Sequence, residues 1–105
     1  MAWVLLFLAG LCEIGWPLGL KLGWSENGAR IGWIVFAAVC MTVSGALLLL
    51  AQREIPMGTA YAVWTGIGAV GAFVVGIAAF GDPSNAMRFL SVGLIVAGIV
   101  GLKLA

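Results

Sequence analysis

The sequence predicts an all-α integral membrane protein in which one domain, residues 1–105, is built from four transmembrane helices per chain. Three observations carry that prediction. The 105 residues are 64% hydrophobic and only 9% charged, outside the range of soluble globular domains. The apolar residues fall into four runs, about 2–22, 31–51, 56–80 and 87–104, each of ~20 residues, enough for a helix to cross ~30 Å of hydrocarbon. Lys21, Arg30, Arg53, Arg88 and Lys103 all sit at the ends of these runs, where a cation reaches water.

The first run begins without a basic segment and lacks a clear cleavage site, so it is expected to stay as a span. It ends at Lys21 and the turn-forming stretch Gly23-Trp24-Ser25-Glu26-Asn27-Gly28, with Trp24 suited to the membrane edge. The second run is flanked by Arg30 and by Gln52-Arg53-Glu54, and carries Cys40, Thr42 and Ser44 at mid-membrane. A serine there either bonds back to its own helix or serves a partner, and the spacing alone leaves both open for Ser44. The third run starts at Pro56, suited to a first helical turn. Tyr61 and Trp64 lie on one of its faces and favour an interior role over an interfacial belt. Gly66, Gly68 and Gly71 follow and permit a bend or close packing. The fourth run follows the turn Gly81-Asp82-Pro83-Ser84-Asn85 and places Gly93, Ala97 and Gly101 four residues apart, a small-residue stripe read as an assembly surface or, alternatively, an intramolecular contact.

One residue breaks the apolar pattern at depth. Glu13 lies near the middle of the first run, where an ionisable group costs several kcal/mol. The chain has no histidine, and its nearest cation, Lys21, is about 12 Å further along the helix. Glu13 is therefore either protonated or neutralised by a cation from outside, which points to transport; the alternative is a protonated carboxyl that joins helices by hydrogen bonds. Its stripe favours a ligand. Gly10 is expected to leave space one turn below and Trp16 to form an aromatic wall one turn above. Pro17 has no N–H for the carbonyl of residue 13, so a kink and a widened pocket are expected there.

Other chemistries find little support. Cys12 and Cys40 have no metal-binding spacing and read as small buried residues, and no nucleophile–base pair or paired carboxylates suggests an enzyme. No metal or other cofactor is implied. A net charge of +1 without a basic cluster argues against nucleic acid as a partner. With four spans, one side of the membrane carries Arg53 and Lys103 and the other Lys21, Arg30 and Arg88, almost no bias under the positive-inside rule. Such a chain can insert both ways, and a protein too small to build two gates can complete itself by pairing with an inverted copy. An antiparallel, dual-topology homodimer is the expected assembly.

Gly10-x-x-Glu13-x-x-Trp16, the block from Pro56 through Gly58-Thr59-Ala60-Tyr61-Ala62-Val63-Trp64-Thr65-Gly66-Ile67-Gly68-Ala69, and the closing Gly98-Ile99-Val100-Gly101-Leu102-Lys103 carry a family resemblance. Over essentially its full length the chain resembles the small multidrug resistance transporters, and among them the guanidinium exporters. The resemblance implies an antiparallel homodimer in the bacterial inner membrane that exchanges protons for guanidinium. It implies a shared site of two Glu13 carboxylates, with Trp16, Ser44, Tyr61 and Trp64 orienting them and lining the pocket. Trp16 favours the guanidinium subtype over exporters of quaternary ammonium drugs. The chain departs from the family pattern in a longer loop from Leu22 to Ala29 and in Pro17, which replaces a small residue beside Trp16. That departure bears on substrate range and brings in guanylurea and other substituted guanidinium ions.

The chemistry is coherent with this. Burial disfavours the charged form of a carboxyl group, so a proton can load it. A planar guanidinium donates two parallel hydrogen bonds to one carboxylate and stacks on an indole. Proton and cation compete for one charge, and that competition is the coupling. The rival readings are an exporter of quaternary ammonium cations and a non-transporting membrane subunit.

Overall fold

In the computed structural model, which describes residues 1–25 and 28–105, four long helices run in sequence order: α1 (Ala2–Gly23), α2 (Ile31–Ala51), α3 (Met57–Phe80) and α4 (Ala86–Leu104). All four are long and apolar enough to cross a membrane, which makes this a multi-pass membrane protein. Glu26 and Asn27, predicted to turn the chain after the first run, lie outside the described residues. On either side of them, β1 (Trp24–Ser25) and β2 (Gly28–Ala29) pair antiparallel, Trp24 opposite Ala29 and Ser25 opposite Gly28. Gly28 takes a φ of 111°, a left-handed value that suits glycine. Beyond it the Arg30 N–H donates to the Gly23 carbonyl at 2.6 Å and sends the chain straight back into α2.

The other helix ends follow from short-range chemistry. Pro56 stands one residue ahead of the first turn of α3, because its extended ψ of 140° makes it the N-cap. Gly81 closes α3 in the left-handed conformation, and the Asp82 N–H caps the Gly76 carbonyl at 3.1 Å. Asn85 caps α4 by accepting the Arg88 N–H on Oδ1 at 3.0 Å.

The helices lie side by side in the order α2, α1, α3, α4. The result is a slab with extents of 47 × 35 × 17 Å, little more than one helix layer thick. Leu6, Ala2, Ala51, Ile55, Ala60 and Val63 form the buried cluster, where the start of α1 meets the α2–α3 connection. Away from that end most large apolar side chains face outward, as membrane-spanning surfaces do. The outermost helix, α4, buries none of its residues; it rests on α3 through Ile95 and Ile99 at Gly66 and the edge-to-face pair Phe73–Phe89, 5.6 Å between centroids.

Pro17, where a kink is expected, and the glycines that permit a bend in α3 lie in unbroken helices. α1 continues through Pro17 to Gly23, and α3 continues through Gly66, Gly68 and Gly71. The glycines provide close packing rather than breaks.

Candidate functional site

Three helices converge on Ser44. Among the described residues it is the buried polar side chain, with no solvent-exposed surface, at the point where α2 crosses α1 and faces α3. Its Oγ donates to the carbonyl of Ala9 at 2.7 Å and accepts the Nε1–H of Trp64 at 2.7 Å. Glu13 Oε2 lies 3.4 Å from the same oxygen. A hydroxyl carries one proton, so the Ala9 carbonyl and the Glu13 carboxyl are alternative acceptors for it. Ser44 thus bonds to other helices. The bond to its own helix, left open by the sequence, is made instead by Thr42, whose Oγ1 donates to the Ala38 carbonyl at 2.9 Å.

Glu13 is half-buried and lies across α3 at Gly68. A methyl group at 68 would stand 2.5 Å from Glu13 Cγ, so the absence of a side chain there is what admits the carboxylate stem. Among the described residues the ion pair is Lys21–Asp82, and Glu13 has no basic partner. The Tyr61 ring lies 5.4 Å from that of Trp64 at a tilt of 39° and is largely exposed, extending the aromatic surface to the face of the slab. Trp16 is half-buried one turn along α1. The structure therefore joins Glu13, Ser44, Trp64 and Gly68 directly, with Tyr61 stacked behind Trp64.

Other predicted site residues are placed elsewhere. The space expected at Gly10 is occupied by Ile67 of α3. Gly66 faces Ile95 and Ile99 of α4, on the side of α3 away from the carboxylate. Pro17 is half-buried on α1, four residues beyond Glu13. It lines a separate cavity of about 80 Å³ further along the α1–α3 seam, with Lys21 and Asp82 at its rim. There Lys21 Nζ sits 4.7 Å from the Phe80 ring centroid and 4.0 Å from Asp82 Oδ1, an exposed pair of small energetic weight. Gly93 and Gly101 face open space, and Ala97 between them is exposed. The stripe on α4 makes no intramolecular contact within van der Waals distance at its glycines.

A second small-residue stripe was missed. Gly15, Gly19 and Gly23 run along α1 at four-residue spacing and receive α2: Gly15 meets Cys40 and Phe36, Gly19 meets Ala37 and the Trp33 carbonyl, and Gly23 meets Ile34 and Trp33. The signal that identifies the α4 stripe is equally present on α1. This close approach is what lets the Ser44 hydroxyl reach the α1 backbone. Cys12 and Cys40 are free thiols.

Comparison with known proteins identifies the family. The profile of the family described as Small Multidrug Resistance protein matches residues 1–95. A guanidinium exporter of Yersinia pseudotuberculosis is 50% identical over 105 residues, covering 100% of this chain and 99% of the relative. Guanidinium exporters of Escherichia coli K12 and Salmonella typhimurium are likewise 50% identical, over 100% of this chain and 98% of theirs.

Proposed function

The chain belongs to the Small Multidrug Resistance protein family, and from that premise we propose that it is a proton-coupled antiporter exporting guanidinium or a small substituted guanidinium such as guanylurea across the bacterial inner membrane. The observation that carries the reading is the Glu13–Ser44–Trp64 cluster: a carboxylate in mid-span, without a basic partner among the described residues, beside a hydroxyl that an indole N–H holds in place. The exporters that match over the full chain supply the substrate class.

In this reading Glu13 takes either a proton or the cation. With Glu13 protonated, Ser44 donates to Ala9. With Glu13 charged, the hydroxyl can turn its proton toward the carboxylate while Trp64 keeps the oxygen in place. The cation displaces the proton because both neutralise one charge, and two N–H groups of a planar guanidinium match the carboxylate fork. Trp16 and the Tyr61–Trp64 pair offer faces for stacking. A slab 17 Å thick cannot enclose a cation on both sides, and this supports pairing with an inverted second copy whose Glu13 completes the site. The outward stripe of Gly93, Ala97 and Gly101 is suited to that pairing.

The test is solid-supported membrane electrophysiology on proteoliposomes with guanidinium, guanylurea and tetrapropylammonium. Currents from the two planar cations and little from tetrapropylammonium are expected. A preference for tetrapropylammonium would establish the drug-export reading instead. Trp16→Gly is expected to lower guanidinium current several-fold, the loss of one stacking contact of ~1 kcal/mol, and to raise that of tetrapropylammonium. An unchanged ranking would make Trp16 a packing residue.

Assembly has its own test. Two or three lysines added to the loop holding Arg53 should lock one orientation, because the native charge bias is almost nil. The locked protein is expected to be inactive alone and active when mixed with a copy locked the opposite way. Full activity from one locked form would mean a parallel dimer.

A further inference from the structure

Along the outside of the slab, two neighbouring cavities of about 370 and 340 Å³ share Phe7, Ile67 and Ile99. Together they make one groove between α1 and α4, with α3 as its floor. From Trp3 to Ile14 the α1 side of this groove is about 16 Å long, close to half of the ~30 Å hydrocarbon core, the depth of one leaflet. Lys103 is the charged residue of the lining and stands at one end, with Nζ 5.4 Å from the Trp3 ring centroid. Trp3 and Lys103 also border a third cavity, of about 390 Å³, whose walls include Glu54 and Thr59. One end of the groove therefore opens into a polar chamber that carries both signs of charge.

We propose that this groove is a binding site for one glycerophospholipid with a zwitterionic, phosphate-plus-ammonium headgroup. An acyl chain lies in the groove, the phosphate meets Lys103, and the headgroup ammonium meets Glu54. The apolar length fits a chain of one leaflet. A cation and a carboxylate lining the same chamber fit a phosphate and an amine together better than a phosphate alone. A guanidinium-type substrate is a poor occupant, since Lys103 repels it at the entrance and the groove offers no acceptor. A second copy of the chain would have to bury the charged mouth as well as the groove.

The site can be tested apart from transport. Wild-type protein is placed in vesicles of phosphatidylethanolamine and phosphatidylglycerol with identical acyl chains, and the lipids retained per protomer are counted by native mass spectrometry. Retention of phosphatidylethanolamine above its share in the vesicle is expected. Lys103→Gln should cut total retention about fivefold, the effect of one cation near a phosphate. Glu54→Gln should keep retention and bring the two lipids to the vesicle ratio. Val100→Phe, at an exposed position in the groove wall, should lower retention of both. Retention in the vesicle ratio by the wild type, or undiminished retention by Lys103→Gln, would overturn the proposal. So would a Val100→Phe protein that keeps its lipid and loses its dimer, the outcome for a groove covered by a second copy.

Discussion

Glu13→Gln is expected to abolish guanidinium-driven proton movement while leaving the fold intact. The substitution keeps the side chain's shape, so the stem still lies across Gly68 and an oxygen still faces Ser44. What it removes is the charge that proton and cation share. Losing a hydrogen bond to a charged group costs ~1.5–3 kcal/mol, or ~10- to 100-fold in cation affinity, and coupled proton release has no remaining titratable donor in the cluster. The measurement is proton efflux from proteoliposomes on adding guanidinium, paired with tryptophan fluorescence to confirm folding. A folded variant that still releases protons would remove Glu13 from the coupling site.

The second large effect is expected at Gly19. A Cβ there would lie 2.9 Å from the Trp33 carbonyl oxygen and 3.1 Å from the Ala37 N–H nitrogen, and backbone cannot swing aside as a long side chain can. Gly19→Val should force α1 from α2 and destabilise the protein by ~1–3 kcal/mol, the usual range for overpacking. The control is the same substitution at Gly32, on the first turn of α2, where nothing lies within 4 Å of a new Cβ. Gly32→Val should remain within ~0.5 kcal/mol of the wild type. Unfolding in mixed detergent, followed by tryptophan fluorescence, separates the two variants. Equal stabilities would mean that the α1–α2 seam is not held at glycine distance. Because Ser44 reaches Ala9 across this seam, Gly19→Val should also weaken guanidinium binding from a distance.

Much of the architecture was legible in the chain because it depends on local chemistry. Runs of ~20 apolar residues with cations at their ends leave few options in hydrocarbon, where helices satisfy every backbone group within one segment. Gly81, Asn85 and Pro56 act within a few residues of themselves, and the structure uses each as a helix end. Glu13 stood out because a carboxylate at depth demands compensation wherever the rest of the chain goes. What stands opposite Pro17 and Gly66 was not legible, because it depends on how separate helices pack. Pro17 faces the Lys21–Asp82 end of the seam, and Gly66 faces α4.

By itself the sequence determined the number of helices, their ends and the one carboxylate that must find a counter-charge. These follow from residue type and spacing along a single chain. Only the tertiary structure decided which face of each helix meets which neighbour. A period of 3.6 residues says which side chains share a face, but not what stands opposite. Packing chose the Gly15–Gly19–Gly23 stripe for α2, leaving Gly93, Ala97 and Gly101 facing outward. It also turned Ser44 from its own helix to Ala9, because at glycine distance the neighbouring backbone is within reach of a side chain as short as serine's.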